Sequence, residues 1–427
     1  MTIVNIKIET IWQNSIFMKL FASYSVSMLG HWFDMVAIII LFGYVWQANP
    51  MMIALIPVAY ALPHVLLGQF AGVLSDKFHK VKIMMYADFI TAVLTVCLLF
   101  TNTPWMALVI ISLRATVNVV HTPAQQGLIK LVVKENLIMK AVTLNGTVNQ
   151  LAKIIGPFIG ATLIGLVSPK ICILINAIAF TISAFILLFV YLDKEMKRMT
   201  TVPKNETALI EESFWGAWRQ GWLIIFKRRV IVVSFIATFL GLTVIQMVDI
   251  QFPVLFRELA PHFPELTGWL MGGSGLGAVV MIIFLNRFET LKHYGWLIGA
   301  SMLLLGVGFG GVGFLKEGFN VLYPVFLCFI GGLGVGLLTI TTQYIIQKET
   351  TEHEIGRVSG IFSSIISFTV LASPLMGGFL VQFFGVIPLY LSSGAVLLLI
   401  GTVLVTFNTF LFPEQKTEED ILAVDAK

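Results

Sequence analysis

Charge is what this chain has least of. Asp, Glu, Lys and Arg make up 12% of its 427 residues, about half of the roughly 25% usual in a soluble domain. With 57% hydrophobic residues and a mean hydropathy of +0.91, one aqueous core cannot hide its apolar surface, so the chain reads as a polytopic membrane protein. Cysteine is scarce too. Cys97, Cys172 and Cys328 all fall inside apolar runs and read as small buried residues, which argues against a disulfide framework and a cysteine metal site. No Walker sequence is present, so ATP does not drive the protein directly. No catalytic triad or metal-ligand spacing is found, so neither an enzyme nor a cofactor is expected. The first 14 residues lack the basic start, apolar core and small-residue cleavage site of a cleaved signal. The ten-residue alternation of an outer-membrane barrel is also missing.

What the chain does have is long apolar runs. Read as helices of about 20 residues, they give twelve spans: 15–46, 51–75, 81–100, 105–131, 137–166, 171–192, 230–256, 266–286, 294–315, 320–347, 355–384 and 387–412. Connections are short except for one polar linker. The expected organisation is a short amphipathic lead-in at 1–14, carrying Ile3, Ile6, Ile8 and Ile11, then a six-helix bundle at 15–192. A linker at 193–229, a second six-helix bundle at 230–412 and a tail at 413–427 follow. Two six-helix halves are the pattern of a duplicated transporter.

Lysine and arginine set the expected orientation. Lys77, Lys80, Lys82, Lys130, Lys134, Lys140, the basic linker, Arg287, Lys292, Lys348 and Arg357 fall in one set of loops, against only Lys170, Arg257 and Lys316 in the other. The bias places both termini and the linker in the cytoplasm of a cell (inner) membrane protein. The Asn205-Glu206-Thr207 sequon is then not a glycan site. The end of the linker, from Phe214 to Trp222, mixes aromatic and basic residues and is expected on the inner membrane surface. Nucleic-acid binding, the other use of such a stretch, is set aside.

Ionisable residues inside spans are costly and usually face a cavity. Here they are Asp34, Asp88, Arg114, Lys153 and Asp249, joined by His31, His64 and His121. Counting about 1.5 Å per residue places Asp34 and Arg114 at equal depth, so they can pair if the first and fourth helices adjoin. His31 lies three residues before Asp34, on the same helix face. Such a cluster either exchanges a proton or is a fixed pair joining two helices. Lys153 on the first half and Asp249 on the second suit a site between bundles, or else Lys153 snorkels and Asp249 caps a bend before Pro253. Asp88 reads as structural, and His64 and His121 as packed polar residues.

The turn Gly72–Lys82 joins two nearly uncharged runs. Gly72 is expected to let another helix approach closely. Asp76 would meet the positive N-terminal end of a neighbouring helix, or else the loop only sets topology. Glycines recur at helical spacing at Gly68/Gly72, Gly156/Gly160, 272–277 and 331–336, pointing to close helix packing.

Gly72-x-x-x-Asp76-Lys77-x-x-Lys80 resembles the loop signature of the major facilitator superfamily, with lysines where arginine is commoner and His79 in place of a glycine. Arg114 resembles the fourth-helix arginine of its proton-coupled members. Ala152-x-x-x-Gly156-Pro157-x-x-Gly160 resembles the antiporter motif, with Ala161 in place of a second glycine. Leu113-Arg114, His121-Thr122-Pro123-Ala124 and Gly356-Arg357-Val358, with Gln343 and Gln347, are most similar to the drug:proton antiporter branch containing macrolide efflux proteins.

The resemblance implies an all-α major facilitator fold in which two bundles rock about a central cavity. Asp76, with Gly72 and Lys80, would hold the inner gate near Arg357, while Gly156, Pro157 and Gly160 would seal the outer path. The function it implies is proton-coupled efflux of small amphipathic or apolar compounds. The expected partners are a small-molecule substrate, protons and the lipid bilayer, with the chain as a monomer. Trp32, Phe33, Tyr44, Phe235, Phe239 and Phe252 are candidate cavity aromatics. A dedicated siderophore exporter, a lysolipid flippase and a non-transporting membrane sensor are the alternatives.

Overall fold

A computed structural model describes residues 10–193, 196, 214–288, 290–351 and 354–412, without the side chains of Gln69, Val73, Asp76 and residues 214–217. The sequon, most of the lead-in, the greater part of the linker and the tail lie outside the described residues.

The described residues are helical, with no strand. In order they are α1 (Ser15–Ile40, extended by a wider turn over Leu41–Val45), α2 (Pro50–Lys77), α3 (Lys80–Leu99), α4 (Pro104–Asn118), α5 (His121–Val132), α6 (Glu135–Leu166) and α7 (Pro169–Leu192). Then follow α8 (Phe214–Lys227), α9 (Arg229–Asp249), α10 (Phe252–Leu259), α11 (Leu266–Leu285), α12 (Tyr294–Val312), α13 (Leu322–Glu349), α14 (Ile355–Phe384), α15 (Val386–Thr406) and the short α16 (Asn408–Leu411). Twelve spans are long and apolar enough to cross a membrane.

Local chemistry explains where the helices start. The Asn49 side chain accepts from the Met52 amide and Pro50 opens α2; Thr103 and Pro104 do the same for α4. Proline also explains two breaks. Pro253 has no N–H for the Asp249 carbonyl, so α9 stops at Asp249 and α10 starts afresh, shorter than the expected span to 256. Pro123 likewise cannot bond the Val119 carbonyl. The fourth span, expected as one helix, divides into α4 and α5 at 119–120.

The chain divides into two compact units. The first comprises 1–208, 250–272 and 374–382; the second comprises 209–249, 273–373 and 383–427. In the first, α1 packs on α6 and α7, α3 on α7, and α2 on α4. Ile11, Phe17, Leu20, Val81, Met84, Leu128 and Leu187 form a buried apolar cluster. The piece 250–272 docks through backbone acceptors: Arg257 Nη1 donates to the Ala48 carbonyl at 2.7 Å and Gln251 Nε2 to the Pro50 carbonyl at 3.2 Å.

The second unit is held by close backbone approach. α12 lies against α13 and α15, and Gly310 and Gly394 meet Cα to Cα with no room for a side chain. A Cβ on Gly332 would collide with the Ser274 carbonyl, whereas one on Gly360 meets nothing within 4 Å. Gly332→Ala is therefore expected to destabilise the protein by about 1–3 kcal/mol, while Gly360→Ala does not. Thermal unfolding in detergent compares the two, and equal melting temperatures would contradict the packing.

Outside the spans, Glu354 ties the start of α14 to the α8–α9 joint. It accepts from the Thr351 amide at 3.1 Å and from Arg228 Nη2 at 2.8 Å. The Thr351 amide first, and Arg228 after it, hold this carboxyl below its ordinary range. A lowered folded value means the tie stabilises above the ordinary carboxylate range and is lost as pH falls through the lowered value. Wild type and Glu354→Gln are expected to differ in melting temperature at neutral pH and to converge in acid. A gap that persists in acid contradicts this.

Candidate functional site

The first unit lines a half-open cavity of about 640 Å³. Its wall is built by helical periodicity. Tyr24, Ser27, Met28 and His31 occupy one face of α1, and Asp34 continues that face one turn further. Tyr60 and His64 stand four apart on α2, as do Asn145 and Asn149 on α6. Arg114 and Asn118 come from α4, and His121, Thr122 and Gln125 from α5.

At its edge Arg114 Nη2 donates to Asp34 Oδ2 at 2.6 Å, with Arg114 2% exposed and Asp34 0%. The Tyr60 hydroxyl donates to the same oxygen at 3.4 Å. His31 stands edge-on to Tyr60, ring centres 5.7 Å apart. Asp34 Oδ1 and Arg114 Nε and Nη1 are buried with no hydrogen-bond partner among the described residues. Buried polar atoms are almost always satisfied, so this pair keeps unused capacity beside the cavity. Asn118 knits the break below it, donating to the Arg114 carbonyl at 3.0 Å and to Thr91 Oγ1 of α3 at 2.8 Å.

Asp34, Arg114 and His31 are thus brought together. Lys153 is exposed on α6, one turn beyond Asn149 and Gln150, and does not line the cavity. Asp249 ends α9 in the second unit, where no cation among the described residues pairs with it.

The residues expected to gate the path are placed less uniformly. The Asp76 side chain lies outside the described atoms. Lys80 Nζ donates to the Ser75 carbonyl at 2.7 Å, closing the α2–α3 turn on itself. Gly72 was expected to admit a neighbouring helix, but no atom lies within 4 Å of where its Cβ would stand. Elsewhere on the same stretch of α2, Ala71 and Ser75 are buried. His79, edge-on to Tyr191 at 5.3 Å, is lowered from its usual imidazole range by burial and then by Lys82. The turn's positive charge therefore comes from its lysines. Gly156 packs on Trp32 and Gly160 on Phe33, both of α1, while the Pro157 carbonyl faces Gly268 of α11. Arg357 Nη1 donates to Gln220 Oε1 of α8 at 2.7 Å.

The candidate aromatics are elsewhere. Trp32 and Phe33 cover the α6 glycines, Phe252 is fully buried, Phe235 packs at a tilt on Phe362, and Phe239 stacks on Phe368. The aromatics on the cavity wall are Tyr24, Tyr60 and Phe180. The amides and His64 and His121 on the wall were not read as site residues from sequence. The available signal was Asn145 and Asn149 at i and i+4 inside an apolar run.

Residues 10–424 match the family model described as transmembrane secretion effector, within the major facilitator superfamily. The chain belongs to this family. It is a multi-pass membrane transporter, not an enzyme. It is 29% identical over 390 residues to the uncharacterized MFS-type transporter YfiS of Bacillus subtilis, covering 90% of this chain and 91% of that one. It is 22% identical over 356 residues to macrolide efflux protein A of Streptococcus pyogenes, covering 81% and 85%. It is also 22% identical over 369 residues to the staphyloferrin A transporter of Staphylococcus aureus, covering 83% and 87%. Among solved structures, the nucleoside transporter NupG superposes with a TM-score of 0.67 at 14% identity, covering 94% of this chain and all of that one. A peptide transporter of the POT family bound to alafosfalin gives 0.67 at 14% identity, covering 92% and 94%. These two likenesses show the major facilitator fold.

Proposed function

We propose that this transporter is a proton-coupled exporter of small amphipathic or apolar molecules. It works by alternating access between bundles 15–192 and 230–412, as a monomer in the cell membrane with both termini cytoplasmic. The observation that carries the reading is the buried Asp34–Arg114 pair with spare donors at the edge of a 640 Å³ cavity.

Arginine keeps its charge throughout. Separating the pair leaves a carboxylate buried without its cation, a state costing several kcal/mol unless a proton arrives. Opening the pair and loading Asp34 are therefore coupled. Substrate reaching the free Arg114 donors, or water admitted to the cavity, would open it. His31, one turn away, lies on the route from the cavity. A proton moving down the potential supplies about 2.3 kcal/mol per 100 mV, enough to bias two conformations. In this scheme Gly72, Asp76, Lys80 and Arg357 are gating residues of the inner side, Gly156, Pro157 and Gly160 are gating residues of the outer side, and Lys153 and Asp249 are further proton-coupling candidates.

Export of a siderophore is the second reading. It is favoured by the staphyloferrin A transporter among the relatives and by a wall lined with amide side chains. Transport in proteoliposomes against an imposed pH gradient separates the readings, using dyes, macrolides and iron-chelating carboxylates as the panel. Movement of dyes or macrolides supports the first and of chelators alone the second. No movement of any panel member by folded protein would overturn both in favour of a dedicated substrate of another class.

A further inference from the structure

Behind the cavity wall lies an acid that this scheme leaves unused. Asp88 of α3 is 0% exposed. Its Oδ2 accepts from the Ser183 hydroxyl of α7, which meets Ser23 of α1 at 2.7 Å. Its Oδ1 faces His121 Nε2 at 3.3 Å. Among the described residues no lysine or arginine pairs with it.

A carboxylate removed from water needs compensation. Asp34 has a permanent cation beside it, so that pair needs no proton. Among the described residues Asp88 has one hydroxyl donor, from Ser183, and an imidazole at 3.3 Å with which it makes no hydrogen bond as placed, a gap that one added proton, on the acid or on the ring, would bridge. His121 is also the group that reaches the cavity. Its side chain is 13% exposed and lines the wall. It holds that place because it opens α5, where Pro123 interrupts the fourth span. The break sets an imidazole between cavity water and a buried acid.

We infer that Asp88 and His121 form a second proton-binding site of this transporter, filled from the cavity through the imidazole and separate from the Asp34–Arg114 pair. The step is a proton transfer alone. The ring takes a proton from cavity water, and that proton is shared between Nε2 and Asp88 Oδ1. The inference rests on the proton-coupled reading and doubles the exchangeable protons of the cavity from one to two. The titratable groups sharing the cavity with His121 are Tyr24 and His31 of α1, Tyr60 and His64 of α2, and Arg114 of α4; α6 and α7 contribute none to the wall.

The test is an infrared difference titration of the purified full-length protein, with protons as the only ligand. The wild type is expected to show a protonated-carboxyl band titrating together with an imidazole band. Asp88→Asn removes the carboxyl band and Asp34→Asn leaves it. His121→Gln moves its midpoint by ~1 pH unit or more and removes the coupled imidazole signal. Ser183→Ala, which deletes only a hydroxyl, shifts the band without removing it. If Asp88→Asn fails to fold, His121→Gln still decides. An unmoved midpoint in His121→Gln, or survival in Asp88→Asn of the carboxyl band that titrates with the imidazole, would overturn the inference. The titration involves no transport, so its outcome is independent of the coupling reading, which the vesicle assay decides.

Discussion

Asp34→Asn is expected to give a folded protein that a pH gradient no longer drives. The substitution is nearly isosteric, and the asparagine carbonyl still accepts from Arg114 Nη2, which lies 2.6 Å from Asp34 Oδ2 in the wild type. Arg114 borders the cavity and keeps access to it. What is lost is the carboxyl group proposed to load a proton when the pair opens. For one proton exchanged against one neutral molecule, 100 mV corresponds to about 2.3 kcal/mol, or a ~50-fold concentration ratio at 1.36 kcal/mol per tenfold. The variant should accumulate nothing beyond equilibration. Exchange of labelled for unlabelled substrate should persist, because it needs no net proton movement. Retained accumulation in Asp34→Asn vesicles would remove Asp34 from the mechanism.

Arg114→Met carries the largest expected effect on stability. It strands a fully buried carboxylate with only the Tyr60 hydroxyl, 3.4 Å away, as donor. Removing one partner of a buried ion pair costs about 3–5 kcal/mol, most of it the penalty of the charge left behind. Asp34→Asn in the same chain removes that charge, so the double variant should recover most of the loss. The strong non-additivity is the signature of direct coupling. Thermal unfolding in detergent of the two single variants and the double variant completes the cycle. Additive losses would mean that the two side chains contribute separately.

The twelve spans and the Asp34–Arg114 meeting were legible because both follow from one-dimensional quantities. Apolar length gives a span, and depth along two antiparallel helices gives a pairing. Neither needs knowledge of which helix faces are inward. The cavity wall did need it. Tyr60, Asn118, Gln125 and Asn149 are unremarkable as single letters, and only the packing of α1, α2, α4, α5 and α6 brings them to one surface. Asp88 and His121 were read as separate packed residues because they lie on different helices, 33 positions apart. Their meeting depends on the break at 119–120, which Pro123 signals but does not aim. The aromatics were misplaced for the opposite reason. Trp32 and Phe33 sit next to Asp34 in sequence, but helical rotation turns them to the α6 glycines while His31 and Asp34 turn to the cavity.

Proton movement and substrate movement are proposed to share the Asp34–Arg114 pair. The most direct measurement is proton flux in proteoliposomes loaded with a pH-sensitive dye, while substrate runs down its own gradient. Opposing proton flux that tracks substrate is expected in the wild type and none in Asp34→Asn, although that variant still exchanges substrate. Substrate movement by the wild type without proton flux would contradict it.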